Sequence, residues 1–160
     1  METQKCISLA LEKLVVPANG LPSLPQTGET DHRLEVVVVF TSVEGTIAAL
    51  KSASNLVRGL RAHITLVVPQ IVPYALPLES PPTLLDFSQR RLSEIASESR
   101  VETIVRLYLC RNRLETVTAV LKPRSLVVVG GHRRWWPTRE KSLARKLRRA
   151  GHEVIFTETA

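Results

Sequence analysis

Short apolar runs of strand length alternate along most of the chain with segments whose apolar residues recur at helical spacing. Leu34 to Phe40 (LEVVVVF) is a nearly unbroken β-branched run, the mark of a strand buried on both faces of a parallel sheet. From Thr46 to Leu60, the residues Ile47, Leu50, Ala53, Val57 and Leu60 form a helical stripe. Ile64 to Val68 predicts a second strand stopped by Pro69, and a proline-rich loop continues to Pro82. Thr83 is placed to cap a helix over about Leu84 to Ser97, with Leu85, Leu92 and Ile95 inward. Val101 to Leu109 reads as a third strand, and Leu114 to Leu121 as a short helix ended by Lys122-Pro123. Ser125 to Val129 predicts a fourth strand closed by Gly130-Gly131. Thr138 then opens a basic helix with Leu143, Leu147 and Ala150 on one face. Gly151 follows as its C′ residue, and Val154 to Thr157 forms the last strand.

The order βαβαβαβαβ predicts an α/β fold. Parallel strands need crossover helices of one hand, which leaves an open, doubly wound five-stranded sheet of flavodoxin-like or Rossmann-like type. Residues 34–160 hold that domain. Residues 1–33 fall outside the alternation and read as an extension, with a short helix near Cys6 to Leu14 and a linker from Pro17 to Thr30. Ligands of such sheets bind outside the carboxyl ends of the strands. The candidate loops are therefore Thr41 to Thr46, Pro69-Gln70, Cys110 to Arg113, and Gly130 to Pro137.

Composition narrows the class. The chain has 160 residues, 44% of them apolar, which suits one domain with a sizeable core. Its two cysteines, Cys6 and Cys110, have neither CxxC spacing nor a Cys/His cluster, so no disulfide framework or zinc site is expected. The stretch from Ile7 to Val16 is broken by Glu12 and Lys13, and no run is long enough to cross a bilayer. A cytoplasmic protein without a membrane partner is the expectation. Charge is placed unevenly. Between His132 and Ala150, eight basic residues face only Glu140, a local surplus equal to the whole formal net charge of +7.

Two runs carry a family resemblance. VVVVFTSVEGTIAAL resembles the first strand, loop and helix of universal stress proteins, which commonly read V-D-G-S-x-x-S-x-x-A-L. SLVVVGG, followed by a basic helix and HEVIFTE, resembles that family's fourth strand onward. The resemblance implies an adenine-nucleotide cleft, a stress-related regulatory role and a homodimer paired through the last strand. The chain also departs from the family. Thr41 stands where nucleotide-binding members have an acidic residue. Of their Gly-x-x-Gly, nine-residue spacer and Gly-Ser motif, only Gly130 remains, with Arg133 and Leu143 at the other glycine positions. Side chains there obstruct close backbone approach to phosphate, so standard ATP binding is not expected.

The candidate ligand cleft comprises Thr41, Ser42, Pro69, Gly130, Gly131, Arg133, Arg134 and Trp135. Guanidinium groups hold anions and indoles stack on bases, so the Arg133–Trp136 run can replace a glycine cradle for ATP or another adenine nucleotide. The plainer alternative packs both tryptophans on the proline-rich loop and leaves the arginines solvated. The basic helix has two readings as well, a nucleic-acid contact or a solvated face. No catalytic constellation stands out. Ser42 lacks a nucleophile elbow, His63 reads as structural, and His132 has no carboxylate to orient it. Glu44 suits a helix N-terminus. Cys110 beside Arg111 and Arg113 is the one thiol placed for activation. The expectation is a non-enzymatic regulatory domain that needs no cofactor and binds an anionic ligand or a protein partner. The alternatives are a nucleotide sensor built on the Arg/Trp loop and a nucleic-acid module built on the basic helix.

Overall fold

The computed structural model describes residues 7–16, 34–78 and 85–159. The linker expected from Pro17 to Thr30 and the Thr83 cap lie outside them. Among the described residues, six strands and four helices follow one another: β1 (Ile7–Val16), β2 (Leu34–Val39), α1 (Val43–Leu56), β3 (Ala62–Ile71), α2 (Leu85–Ser97), β4 (Thr103–Cys110), α3 (Arg113–Val120), β5 (Leu126–His132), α4 (Arg139–Arg149) and β6 (Glu153–Thr159). Five strands are parallel in the order β4-β3-β2-β5-β6, and β1 lies antiparallel outside β4. This is the expected doubly wound sheet, with its reversal of strand order between β2 and β5.

The valine run of β2 shows why both faces had to be apolar. Val36 and Val38 pack with Leu50, Ala53, Leu92 and Ile95 of α1 and α2 on one face. Val37 and Val39 pack with Val117, Leu143 and Leu147 of α3 and α4 on the other. Side chains alternate across a strand, so one run serves two cores. Three helices are capped at the N-terminus by short polar side chains: Ser42 accepts from the Gly45 amide, Asn112 from Glu115 and Thr138 from Lys141. Helix α4 ends in a Schellman motif. His152 N–H bonds the Leu147 carbonyl, Gly151 N–H bonds that of Arg148, and Gly151 has a φ of 96°.

Three expectations are corrected. Residues 7–16 form a strand, not a helix; Ile7, Leu9 and Leu11 alternate, and the open edge of β4 offers the ladder a strand needs. Pro69 does not stop β3, which runs through it to Ile71. The Phe40 amide bonds the Val67 carbonyl, so odd-numbered residues of β3 face β2. The last β2–β3 pair is Val39 with Val67, and Pro69 therefore sits where β2 has ended and no N–H is required. Likewise Gly130-Gly131 do not close β5, which continues to His132. The loop before α4 accordingly starts at Arg133.

Candidate functional site

At the switch point the chain leaves β2 for α1 on one face and β5 for α4 on the other. Thr41 ties the two exits together: its Oγ1 donates to the Gly130 carbonyl at 2.7 Å, and its amide donates to Thr46 Oγ1 at 3.2 Å. Gly45 and Gly130 then meet backbone to backbone. A Cβ on Gly130 would lie 1.7 Å from the Gly45 carbonyl oxygen, and one on Gly45 would lie 2.8 Å from that of Gly130. The missing side chain at Gly130 lets α1 approach β5. A Cβ on Gly131 would meet Phe156 at 2.9 Å and Glu140 at 3.0 Å.

Two hollows open beside this joint. A cleft of about 350 Å³ lies between α3 and α4, walled by Asn112, Arg113, Arg139, Ser142, Leu143 and Lys146, with Thr41 in its lining. Glu140 is the one carboxylate among its lining residues, against three cations. The N-termini of α3 and α4 border it, adding positive potential. The Nε of Arg113, a residue that lines this cleft, is buried without a hydrogen-bond partner. A second hollow of about 470 Å³ lies over the other face, lined by Ser42, Pro69, Phe87 and Arg91, and it shares Ile71 and Arg113 with the first.

The candidate residues are thus divided. Thr41 lines the α3/α4 cleft, while Ser42 and Pro69 line the opposite hollow. Gly130 and Gly131 lie buried within β5 beneath them. Arg133, Arg134 and Trp135 line neither hollow. Arg133 Nε lies 3.8 Å from Glu158, which also takes Lys141 at 3.7 Å. Lys141 further donates to the Arg134 carbonyl. Trp135 and Trp136 are 87% and 63% exposed and lean on each other, centroids 4.6 Å apart at 52°; residues 79–82 of the proline-rich loop lie outside the described residues. Leu143, the other bulky departure from the glycine motif, does wall the cleft.

Cys110 is fully buried at the end of β4, and burial pushes its thiol up despite Arg113, so activation by the neighbouring arginines is not realised. Arg111 is occupied elsewhere: it donates to the carbonyls of Val72, Pro73 and Leu76 and lies 5.1 Å over the Tyr74 ring. His132 bonds Thr159 Oγ1 at 3.0 Å. Among the described residues no group of His, Cys, Asp and Glu is arranged to hold a metal ion, and no helix is long and apolar enough to cross a membrane.

The cleft walls of α4 were missed in the sequence. Arg139, Ser142 and Lys146 fall at i, i+3 and i+7, one face of a helix, and that spacing was the available signal.

Fold and site together define an open α/β domain with a cation-lined cleft at its switch point. No family model, curated protein or solved structure matches the chain.

Proposed function

We propose that the chain is a non-catalytic regulatory domain, similar to universal stress proteins, that takes a small anionic ligand in the α3/α4 cleft. The supporting observation is the convergence of Arg113, Arg139 and Lys146 on one hollow with a single carboxylate. The Arg113 guanidinium makes no hydrogen bond or ion pair with another described residue, which leaves its donors for an anion. The cleft stands at the small end of the range for ligand pockets, which favours a compact phosphate or carboxylate group over a whole triphosphate nucleotide.

Calorimetric titration with pyrophosphate, AMP, cyclic AMP and ATP tests the reading. Binding of a small anion, weakened by Arg113→Gln, is expected; no heat from any of them at millimolar concentration rejects it. The nucleotide-sensor alternative predicts tighter binding of ATP with a change in tryptophan emission, although the indoles lie outside both hollows.

A homodimer through β6 belongs to the same proposal. Val154, Ile155 and Phe156 are only half-buried on that edge strand. The Arg148 guanidinium donates to the Val154 carbonyl at 3.0 Å, so pairing would run past Phe156 or displace that arginine. A monomer by light scattering at micromolar concentration rejects this part.

A further inference from the structure

We propose that the loop from Arg133 to Pro137, with the solvent face of α4, docks this protein peripherally on an anionic lipid membrane surface. Three observations converge on it. Trp135 and Trp136 are among the most exposed large apolar side chains described, and indoles are suited to the headgroup region of a bilayer.

The second observation is charge. Arg134, Arg145 and Arg149 lie outside the α3/α4 cleft and pair with no carboxylate among the described residues, whereas Arg133, Lys141 and Arg148 are engaged within the fold. Arg134 precedes the indoles in sequence, and α4 after them adds Arg145 and Arg149. Each uncompensated cation near an anionic leaflet strengthens binding by about fivefold.

The third is the end of the sheet at which the indoles lie. Of nine exposed large apolar residues among those described, six lie at the carboxyl end of the sheet: Ile71, Tyr74, Leu76, Phe87, Trp135 and Trp136. Exposed apolar side chains and unpaired cations at one end of the sheet match the layering of an anionic bilayer, apolar below and negative above.

Single-stranded nucleic acid is the rival occupant, because it also takes aromatics and cations. Base stacking needs open ring faces. Here the two indoles are tilted at 52° to each other and present no pair of parallel faces to successive bases, and the Tyr74 ring lies under Arg111. Ile71 and Leu76 have no face to offer a base. The lipid surface accounts for all six residues; stacking accounts for few.

The chain has only two tryptophans, so its emission reports this loop alone. The full chain is mixed with phosphatidylcholine vesicles, with or without about one-third phosphatidylglycerol, at low salt. Co-sedimentation with the anionic vesicles, a blue-shifted emission and slower acrylamide quenching are expected. Affinity should fall at least about tenfold in the Trp135→Ala/Trp136→Ala variant and also in the Arg134→Glu/Arg145→Glu variant.

Should a variant fail to fold by circular dichroism, quenching of the unaltered chain on vesicles decides. No sedimentation with anionic vesicles, or unshifted emission in those that sediment, overturns the proposal. So does tighter binding to an oligothymidylate at equal salt that is lost with the same tryptophans. None of these substitutions touches the lining of the α3/α4 cleft, so titration of pyrophosphate into the tryptophan variant separates this proposal from the ligand reading.

Discussion

At the amino ends of the parallel strands, Glu35 gathers Lys122 at 3.1 Å, Thr65 at 2.7 Å and His63 at 3.8 Å. At the carboxyl ends, Arg113, Arg139 and Lys146 wall a cleft that holds one carboxylate. The first end also carries a closed hydroxyl network, in which Ser99 and Thr103 share a 2.8 Å bond and Ser54 donates to the Ser99 carbonyl. The second end carries exposed aromatics and unpaired cations. Polar groups arranged to satisfy one another hold a fold together; groups of one sign left facing one another lower stability and are suited to binding something else. Apart from the His63 Nδ1, which is buried without a partner, the two ends of this sheet divide those tasks between them.

One feature of the carboxyl end belongs to the other class, and altering it gives the largest effect expected. Gly130→Ala places a methyl carbon against the Gly45 backbone, where no flexible side chain can yield. Helix α1 would have to lift from β5, and Thr41 would lose its bond to the Gly130 carbonyl. A loss of about 3 kcal/mol or more in urea unfolding is expected. Gly131→Ala meets the tip of the Phe156 ring, which can turn, and the Glu140 Cβ at 3.0 Å, which needs to yield only a few tenths of an ångström, so its loss should be clearly smaller. Equal losses would mean that the backbone joint is not special.

The glycine also shows where sequence reading succeeds and where it stops. The alternation of elements was readable because buried parallel strands need long apolar runs and amphipathic helices need period 3.6, and LEVVVVF and the Leu143-Leu147 stripe state both plainly. Strand ends were not. Gly and Pro read as stops, yet Pro69 and Gly130 sit inside strands, each for a reason supplied by a neighbour: the end of β2 for one, the approach of α1 for the other. Residues 7–16 are ambiguous in the sequence because Leu9, Leu11 and Leu14 suit a helix as well as a strand, and only the free edge of β4 decides. The cleft was half readable. Its loops were located from the strand ends, but which arginines face inward depends on the packing of α3 beside α4.

The amino end makes a pH prediction of intermediate size. The His63 imidazole, more than any other group, holds the Glu35 carboxyl down to about 2 from an ordinary 4.5; Thr65 and Lys122 assist, and burial opposes. A carboxyl lowered on folding stabilises in full above its unfolded value and loses that contribution as pH falls. Stability should therefore decline from about pH 4.5 towards pH 2. The carboxylate retains 22% exposure, so solvent screening limits the effect to about 1–2 kcal/mol. Glu35→Gln should lose that amount at neutral pH and flatten the acid decline, as followed by circular dichroism. An unchanged acid limb in the variant would remove Glu35 from the account of this end.

The smallest stability effects are expected in the cleft, and their smallness is what gives them meaning. Arg139→Gln and Lys146→Gln each remove a cation that pairs with no described carboxylate, so thermal unfolding should shift by no more than about 0.5 kcal/mol. Arg113→Gln removes the buried Nε that lacks a partner and relieves repulsion, which should leave stability unchanged or slightly raised. Each of the three should nevertheless weaken any anion the cleft binds, because a ligand supplies the negative charge that the protein itself does not. A cation that matters to affinity and not to folding is one the fold holds for another molecule. Losses of stability comparable to that of Glu35→Gln would show instead that these side chains hold the helices together, and the contrast between the two ends of the sheet would collapse.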